Sequence, residues 1–286
     1  METFFIIGGD RRLSQMETLL ASSGFSARRF HGGSPRELAD SIKDCRCLLG
    51  PVPFSIDQRR LFSDTEETAI SLDLFLSCIR PGQILFGGCL PPKAFRACSE
   101  VGAAAVDLMD SEEVRLENAA VTAEGAVAEA IFLSPHRLFH SPCLVLGFGR
   151  CGQALAWRLK ALGCRVCILE REPRLIDRAE ALGFPCFREL NLQALSEPLF
   201  LFNTIPAPIL TGEQIRMLKQ DAVILDLASA PGGTDFEACR QAGIAGKLCP
   251  GLPGRTSPAS SGRILFEELI RRLEALRPGK EDAQCL

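Results

Sequence analysis

Residues 143–152 read CLVLGFGRCG, an apolar run that stops in Gly147-Phe148-Gly149-Arg150-Cys151-Gly152. A G-x-G-x-x-G turn set between a buried strand and a helix narrows the choice of folds more than any other stretch of this chain. Gly147 allows the tight turn, Gly149 lets the backbone approach a pyrophosphate, and Gly152 lets the helix pack against the strand. The helix N-terminus then offers N–H donors and a partial positive charge to phosphates. Leu155, Leu159 and Leu162 continue an apolar helical face, Gly163 ends it, and Arg165–Leu169 forms a second strand. The expectation is a dinucleotide site at Gly147, Phe148, Gly149, Arg150, Cys151 and Gly152. The competing reading is a βαβ turn with a structural role only.

Strand and helix patterns alternate on both sides of this motif, which predicts α/β architecture: two open parallel-sheet domains joined by long helices. Residues 1–118 are expected to form a flavodoxin- or Rossmann-like substrate domain, with strands at 3–7, 25–30, 46–49, 83–86 and 103–106 and a helix within 65–78. Residues 119–140 are expected to link the domains. Residues 141–256 would be the Rossmann NAD(P)-binding domain, and 257–286 a helix returning toward the first domain with a frayed tail at 277–286. Glycine-rich turns recur after strands at Gly8, Gly50 and Gly87. Ligands of open α/β sheets lie beyond the carboxyl ends of the strands, so these turns are expected to face one crevice.

The net charge of −3 offers no basic field to nucleic acid or anionic membrane. Apolar runs are of strand length, short of the ~20 residues of a membrane span. The acidic start followed by a strand pattern is unlike a signal peptide, so a cytoplasmic location is expected. The thirteen cysteines are scattered, mostly inside apolar runs, and read as small buried hydrophobes in a reducing compartment rather than as metal ligands. Cys151 is the exception, since a thiol at a helix N-terminus is a candidate for a lowered pKa.

Further candidates sit at strand ends. Glu170 lies 23 residues after Gly147, where an acidic group accepts a ribose 2′-OH, while Arg171 suits a 2′-phosphate or adenine stacking. Asn203, Thr204, Ile205 and Pro206 follow the fourth strand of the nucleotide domain and would line the nicotinamide ribose. Asp226-Leu227-Ala228-Ser229 follows the next strand and leads to Gly232 and Gly233, a pair that permits close backbone approach. Asp226 is a candidate base, or an anchor for the nicotinamide amide, or a turn cap. Residues 250–258, PGLPGRTSP, read as a rigid loop in which Arg255 could bind a carboxylate.

The combination ILDLASAPGGTDF at 224–236, Gly243-Ile244 and PGLPG at 250–254 resembles the family of the A subunit of dipicolinate synthase. The likeness continues in IIGGDRR at 6–12, Thr122-Ala123-Glu124-Gly125, LGFGRCG at 146–152 and NTIP at 203–206, in the same order along nearly the whole chain. The resemblance implies a dehydrogenase that oxidises a dihydrodipicolinate, derived from 4-hydroxy-tetrahydrodipicolinate of the lysine pathway, to the pyridine-2,6-dicarboxylate of spores. It further implies a nicotinamide cofactor (NADP or NAD), partnership with a flavoprotein-like B subunit, a homo-oligomer, and the mother-cell cytoplasm of a spore former. Two positions depart from the family pattern: Ala230 and Ala259 stand where basic residues are usual.

The expected arrangement puts the nicotinamide between 203–206 and 226–229, with the substrate beside it in the mouth of the sheets. The diacid's carboxylates would meet Arg11, Arg255 and N–H groups near Gly8, Gly9 and Asp10, and near Gly87 and Gly88, with Thr122, Gly232 and Gly233 also lining the site. Glu124 or Asp226 would be the base. The alternatives are an alanine-dehydrogenase-like or hydroxyacid-type oxidoreductase, for which Asp-x-Ala-x-x-x-Gly-Gly is also a pattern, and a dinucleotide-binding protein without catalysis.

Overall fold

The computed structural model describes residues 2–64 and 70–276. Residues 65–69, the start of the helix expected within 65–78, and the tail at 277–286 lie outside the described residues. The chain forms two compact units, one built from residues 1–115 and 258–286, the other from 116–257.

The first unit holds a five-stranded parallel sheet in the order β2-β1-β3-β4-β5, with β1 Thr3–Ile7, β2 Ser26–Phe30, β3 Cys47–Leu49, β4 Ile84–Gly87 and β5 Ala104–Asp107. A sheet covered on both faces needs apolar side chains on both, which is why β1 reads as the unbroken run TFFII. Its alternation splits the core. Phe4 and Ile6 pack with Leu13, Met16 and Leu20 of α1 (Arg11–Ser22) and with Leu265, Leu269 and Leu273 of α12 (Pro258–Ala275). Phe5 and Ile7 face the other way, toward Leu38 and Ile42 of α2 (Pro35–Ile42), Phe75 of α3 (Leu72–Ser77) and Ala94 of α4 (Pro92–Val101). The α1–α12 contact is close because residue 262 is glycine. A Cβ there would lie 2.9 Å from the Arg12 carbonyl oxygen.

The second unit is a six-stranded parallel sheet in the order β11-β10-β9-β6-β7-β8. Its strands are β6 Pro142–Leu146, β7 Arg165–Leu169, β8 Cys186–Phe187, β9 Phe200–Asn203, β10 Val223–Asp226 and β11 Ala245–Leu248. This is the doubly wound Rossmann order, and the winding reverses between β6 and β9. Helices α5 (Glu112–Leu133), α6 (Arg150–Ala161), α7 (Pro173–Ala181) and α11 (Leu252–Thr256) contribute to the core on one face. Helices α8 (Leu192–Leu195), α9 (Gly212–Ile215) and α10 (Phe236–Ala242) contribute on the other. The α/β class with two parallel sheets expected from the sequence is borne out.

Two segments differ from expectation. Residues 119–140, expected as a linker, give Ala123, Ala126, Ala130 and Leu138 to the core of the second unit. The stretch 250–258, expected as a loop, contains α11. Its prolines do not oppose a helix, because Pro253 lies in the first turn, where no intrahelical N–H is required. Gly251 enters that turn at φ +63°. Helix α11 packs on α5 at Gly125, where a Cβ would come within 3.1 Å of Leu252 Cβ.

Candidate functional site

The β6–α6 turn shows why its three glycines are there. Gly147 has φ +91°, and a Cβ on it would meet Thr204 Oγ1 at 2.7 Å. A Cβ on Gly152 would lie 2.0 Å from the Gly147 carbonyl oxygen, so any side chain would force the helix off the turn. Gly149 is different: nothing lies within 4 Å of the place its Cβ would take. It is the N-cap of α6 and, as a glycine, makes no side-chain cap bond to that helix. A helix N-terminus that opens onto space through a glycine can receive an anion.

Phe148 and Cys151 are corrected by their surroundings. The Phe148 ring is fully buried and packs on Phe184 with centroids 5.9 Å apart. Only its backbone faces the turn, and its N–H donates to Glu170 Oε2 at 2.8 Å. Burial pushes the Cys151 thiol up, outweighing the opposite pull of Arg150, contrary to the lowering expected at a helix N-terminus. Arg150 itself is exposed.

Beyond the ends of β7 and β9 lies a cleft of about 820 Å³, lined by Leu169, Glu170, Arg171, Arg188, Leu190 and Ile205, among others. Glu170, Arg171 and Ile205 were expected at the site; Arg188 was not. The signal for it is strand register. Leu169 pairs with Phe187, so the next residue of each strand, Glu170 and Arg188, stand side by side at the carboxyl edge. Periodicity alone did not reveal that β8, only two residues long, runs beside β7.

Asn203 and Asp226 are register partners on β9 and β10, both fully buried. Asn203 Nδ2 donates to Asp226 Oδ1 at 3.0 Å and to the Ile205 carbonyl at 3.1 Å, while its Oδ1 accepts from Ile205 N at 3.0 Å. Thr204 Oγ1 donates to the Leu146 carbonyl at 2.8 Å, tying this turn to the glycine-rich one. Pro206 is exposed. Asp226 Oδ1 also accepts from Ala228 N at 3.1 Å, and its Oδ2 accepts from Gly233 N at 2.8 Å and Thr234 Oγ1 at 2.7 Å. Four donors fill a carboxylate's roughly four acceptor positions. Asp226 therefore organises the 227–234 loop. Leu227 N donates to the Asn203 carbonyl at 2.8 Å, and Ser229 is exposed. Gly232 and Gly233 leave room for this network: a Cβ would meet Asp226 Oδ2 at 2.9 Å or the Ala207 carbonyl at 2.3 Å, respectively.

The residues expected to hold substrate are differently employed. Gly8, at φ +64°, lies against the Phe62 carbonyl, and Gly9 N donates to that oxygen at 2.7 Å. Asp10 caps α1 and pairs with Arg12 at 2.7 Å, so a carboxylate already occupies that helix end. Gly87 makes room for the Phe54 ring and Gly88 for Val52, and Gly88 N donates to the Pro51 carbonyl at 3.1 Å. These two glycines make room for packing and loop closure. Thr122 Oγ1 donates to the Asn118 carbonyl at 2.7 Å. Arg255 pairs with Glu129 at 2.7 Å, and Lys247 reaches the same carboxylate at 2.5 Å. Arg11 is exposed at the start of α1. Glu124 pairs with Arg158 at 2.9 Å. Arg158 lies eight residues along α6 from Arg150, about 12 Å from the glycine-rich turn.

Comparison with known proteins agrees with this geometry. The family model for the N-terminal domain of the dipicolinate synthase A subunit matches residues 3–109. The A subunit of dipicolinate synthase from Bacillus subtilis is 33% identical over 60% of the chain, a match that spans 58% of that relative's length. The crystal structure of the same subunit from Bacillus halodurans superposes with a TM-score of 0.82 at 25% identity, covering 95% of this chain and 98% of that one. A shikimate dehydrogenase (NADP(+)) of Helicobacter pylori is 31% identical over 34% of this chain and 37% of its own. Family model, relative and solved structure agree on one likeness: the chain is similar to the A subunit of dipicolinate synthase.

Proposed function

We propose that this chain is a nicotinamide-dinucleotide-dependent oxidoreductase of the dipicolinate synthase type, acting on a small cyclic dicarboxylate in partnership with a flavoprotein-like B subunit. One observation carries the dinucleotide reading: an α6 N-terminus capped by a glycine, in a turn where a Cβ on Gly147 or Gly152 would clash, stands beside a cleft of about 820 Å³ at the carboxyl edge of a Rossmann sheet. Bound there, the nicotinamide supplies the hydride acceptor.

The chain's own residues supply placement. Gly147, Gly149 and Gly152 would admit the phosphates, Glu170 would accept from the adenosine ribose, and the Asn203–Asp226 pair fixes the two loops that would flank the nicotinamide. Oxidising a dihydropyridine diacid to an aromatic ring is downhill, so positioning of hydride donor and acceptor is the main catalytic demand. Asp226, held by four donors, is read as a positioning residue, and Glu124 is held by Arg158 on α6.

The test mixes the purified chain with its flavoprotein-like partner, NAD or NADP, and the enzymatically generated lysine-pathway precursor. The expected result is the ultraviolet signature of pyridine-2,6-dicarboxylate with equimolar reduced coenzyme. Turnover of alanine or pyruvate would favour the alanine-dehydrogenase-like alternative. Coenzyme binding with no turnover of any of these would favour the non-catalytic one.

A further inference from the structure

The conformation of Glu170 bears on which coenzyme this cleft accepts. The residue leaves β7 immediately after Leu169, and its carboxylate turns back toward the glycine-rich turn. Oε2 accepts from Phe148 N at 2.8 Å, while Oε1 accepts from Arg171 N at 2.8 Å and Glu172 N at 3.1 Å. A carboxylate has roughly four acceptor positions, so three backbone donors leave one, on Oε2. A ribose hydroxyl can donate to that position. A phosphate at neutral pH has little proton to donate and meets a like charge at contact distance. The carboxylate cannot swing aside without surrendering three N–H bonds at once.

The neighbouring cations point the opposite way. Arg171 and Arg188 are exposed and line the same cleft. Glu170 N donates to the Phe187 carbonyl at 3.0 Å, which fixes Arg188 beside it. Among the described residues neither guanidinium has an ion-pair partner. By charge count alone, two arginines against one carboxylate would favour a phosphate. Rigidity decides against it: the arginine heads sit on long flexible stems in solvent, whereas the carboxylate is tethered on both oxygens.

We propose that Glu170 sets this chain to NAD, and that Arg171 and Arg188 form a phosphate-binding pair that Glu170 alone withholds from a 2′-phosphate. The inference rests on the dinucleotide reading above and deepens it by naming the coenzyme. The test titrates NAD⁺ and NADP⁺ into the full chain, following heat of binding. NAD⁺ should bind at least tenfold more tightly than NADP⁺. Glu170→Ser should raise NADP⁺ affinity at least tenfold, and adding Arg188→Ala to that variant should take the gain away, weakening NADP⁺ at least tenfold more than NAD⁺. Glu170→Gln, which keeps the side chain's size and removes its charge, should move the preference in the same direction if the serine variant folds poorly. A wild-type preference for NADP⁺, or equal changes in both affinities on substitution, would overturn the assignment and leave the dinucleotide reading standing. Failure of both coenzymes to bind the wild-type chain at millimolar concentration would overturn that reading itself.

Discussion

At the scale of single residues, Asp226 shows how a strand-end carboxylate leaves several roles open from sequence: base, amide anchor or turn cap. Its place after an apolar strand was legible, and so was the pair of glycines that follows. What sequence could not supply is the return of the loop, which brings Gly233 N and Thr234 Oγ1 onto Oδ2 and leaves no acceptor position for a substrate proton. Asp226→Asn replaces one acceptor oxygen by an NH₂ group that must face another donor. Loss of a buried charged hydrogen bond with an orphaned partner costs about 2–3 kcal/mol. Urea denaturation of this variant should show a loss of that size. A free catalytic base would behave otherwise, with unfolding free energy unchanged and turnover alone abolished.

At the scale of elements, the glycine-rich turn, Arg165–Leu169 and the strands flanking them were readable because buried parallel strands are continuous apolar runs punctuated by glycine. Helix α11 was not, because five residues between prolines carry too little periodicity, and its reason for existing is tertiary: it packs on α5 at Gly125. The same elements meet through charge. Glu129 on α5 is largely buried and shared by Lys247 on β11 and Arg255 on α11. The Lys247 hydrogen bond first, and the charges of Lys247 and Arg255 after it, hold its carboxyl below the usual 4.5 despite the opposing effect of burial. A depressed folded pKa contributes stability that is fully present above the unfolded value and is lost as pH falls through the folded one. Glu129→Gln should therefore be less stable than the native chain by about 1 kcal/mol at pH 7. The two unfolding free energies should converge as pH drops below 4.5. A difference that does not shrink as pH falls further below 4.5 would mean that packing, not charge, is what the substitution removes.

At the scale of the whole molecule, the four apolar cores among the described residues divide cleanly. Two consist wholly of residues from 1–115 and 258–286, and two wholly of residues from 116–257. The second unit is thus a continuous insertion that carries its complete sheet and the glycine-rich turn, so it should fold when expressed alone as residues 116–257. The first unit is not continuous, and residues 1–115 by themselves lack Leu265, Leu269 and Leu273, which cover Leu13, Met16 and Leu20. Three buried leucines are worth roughly 5–9 kcal/mol, comparable to the entire stability of an ordinary domain. The N-terminal fragment should therefore be unfolded until the α12 segment is supplied. If the second unit holds the dinucleotide by itself, coenzyme at about a hundred times its dissociation constant should stabilise the 116–257 fragment by about 2.7 kcal/mol. For a domain of this size that is a rise in melting temperature of roughly 6–10 °C. A fragment that folds cooperatively and shows no such rise would overturn the premise that the second unit alone holds the dinucleotide.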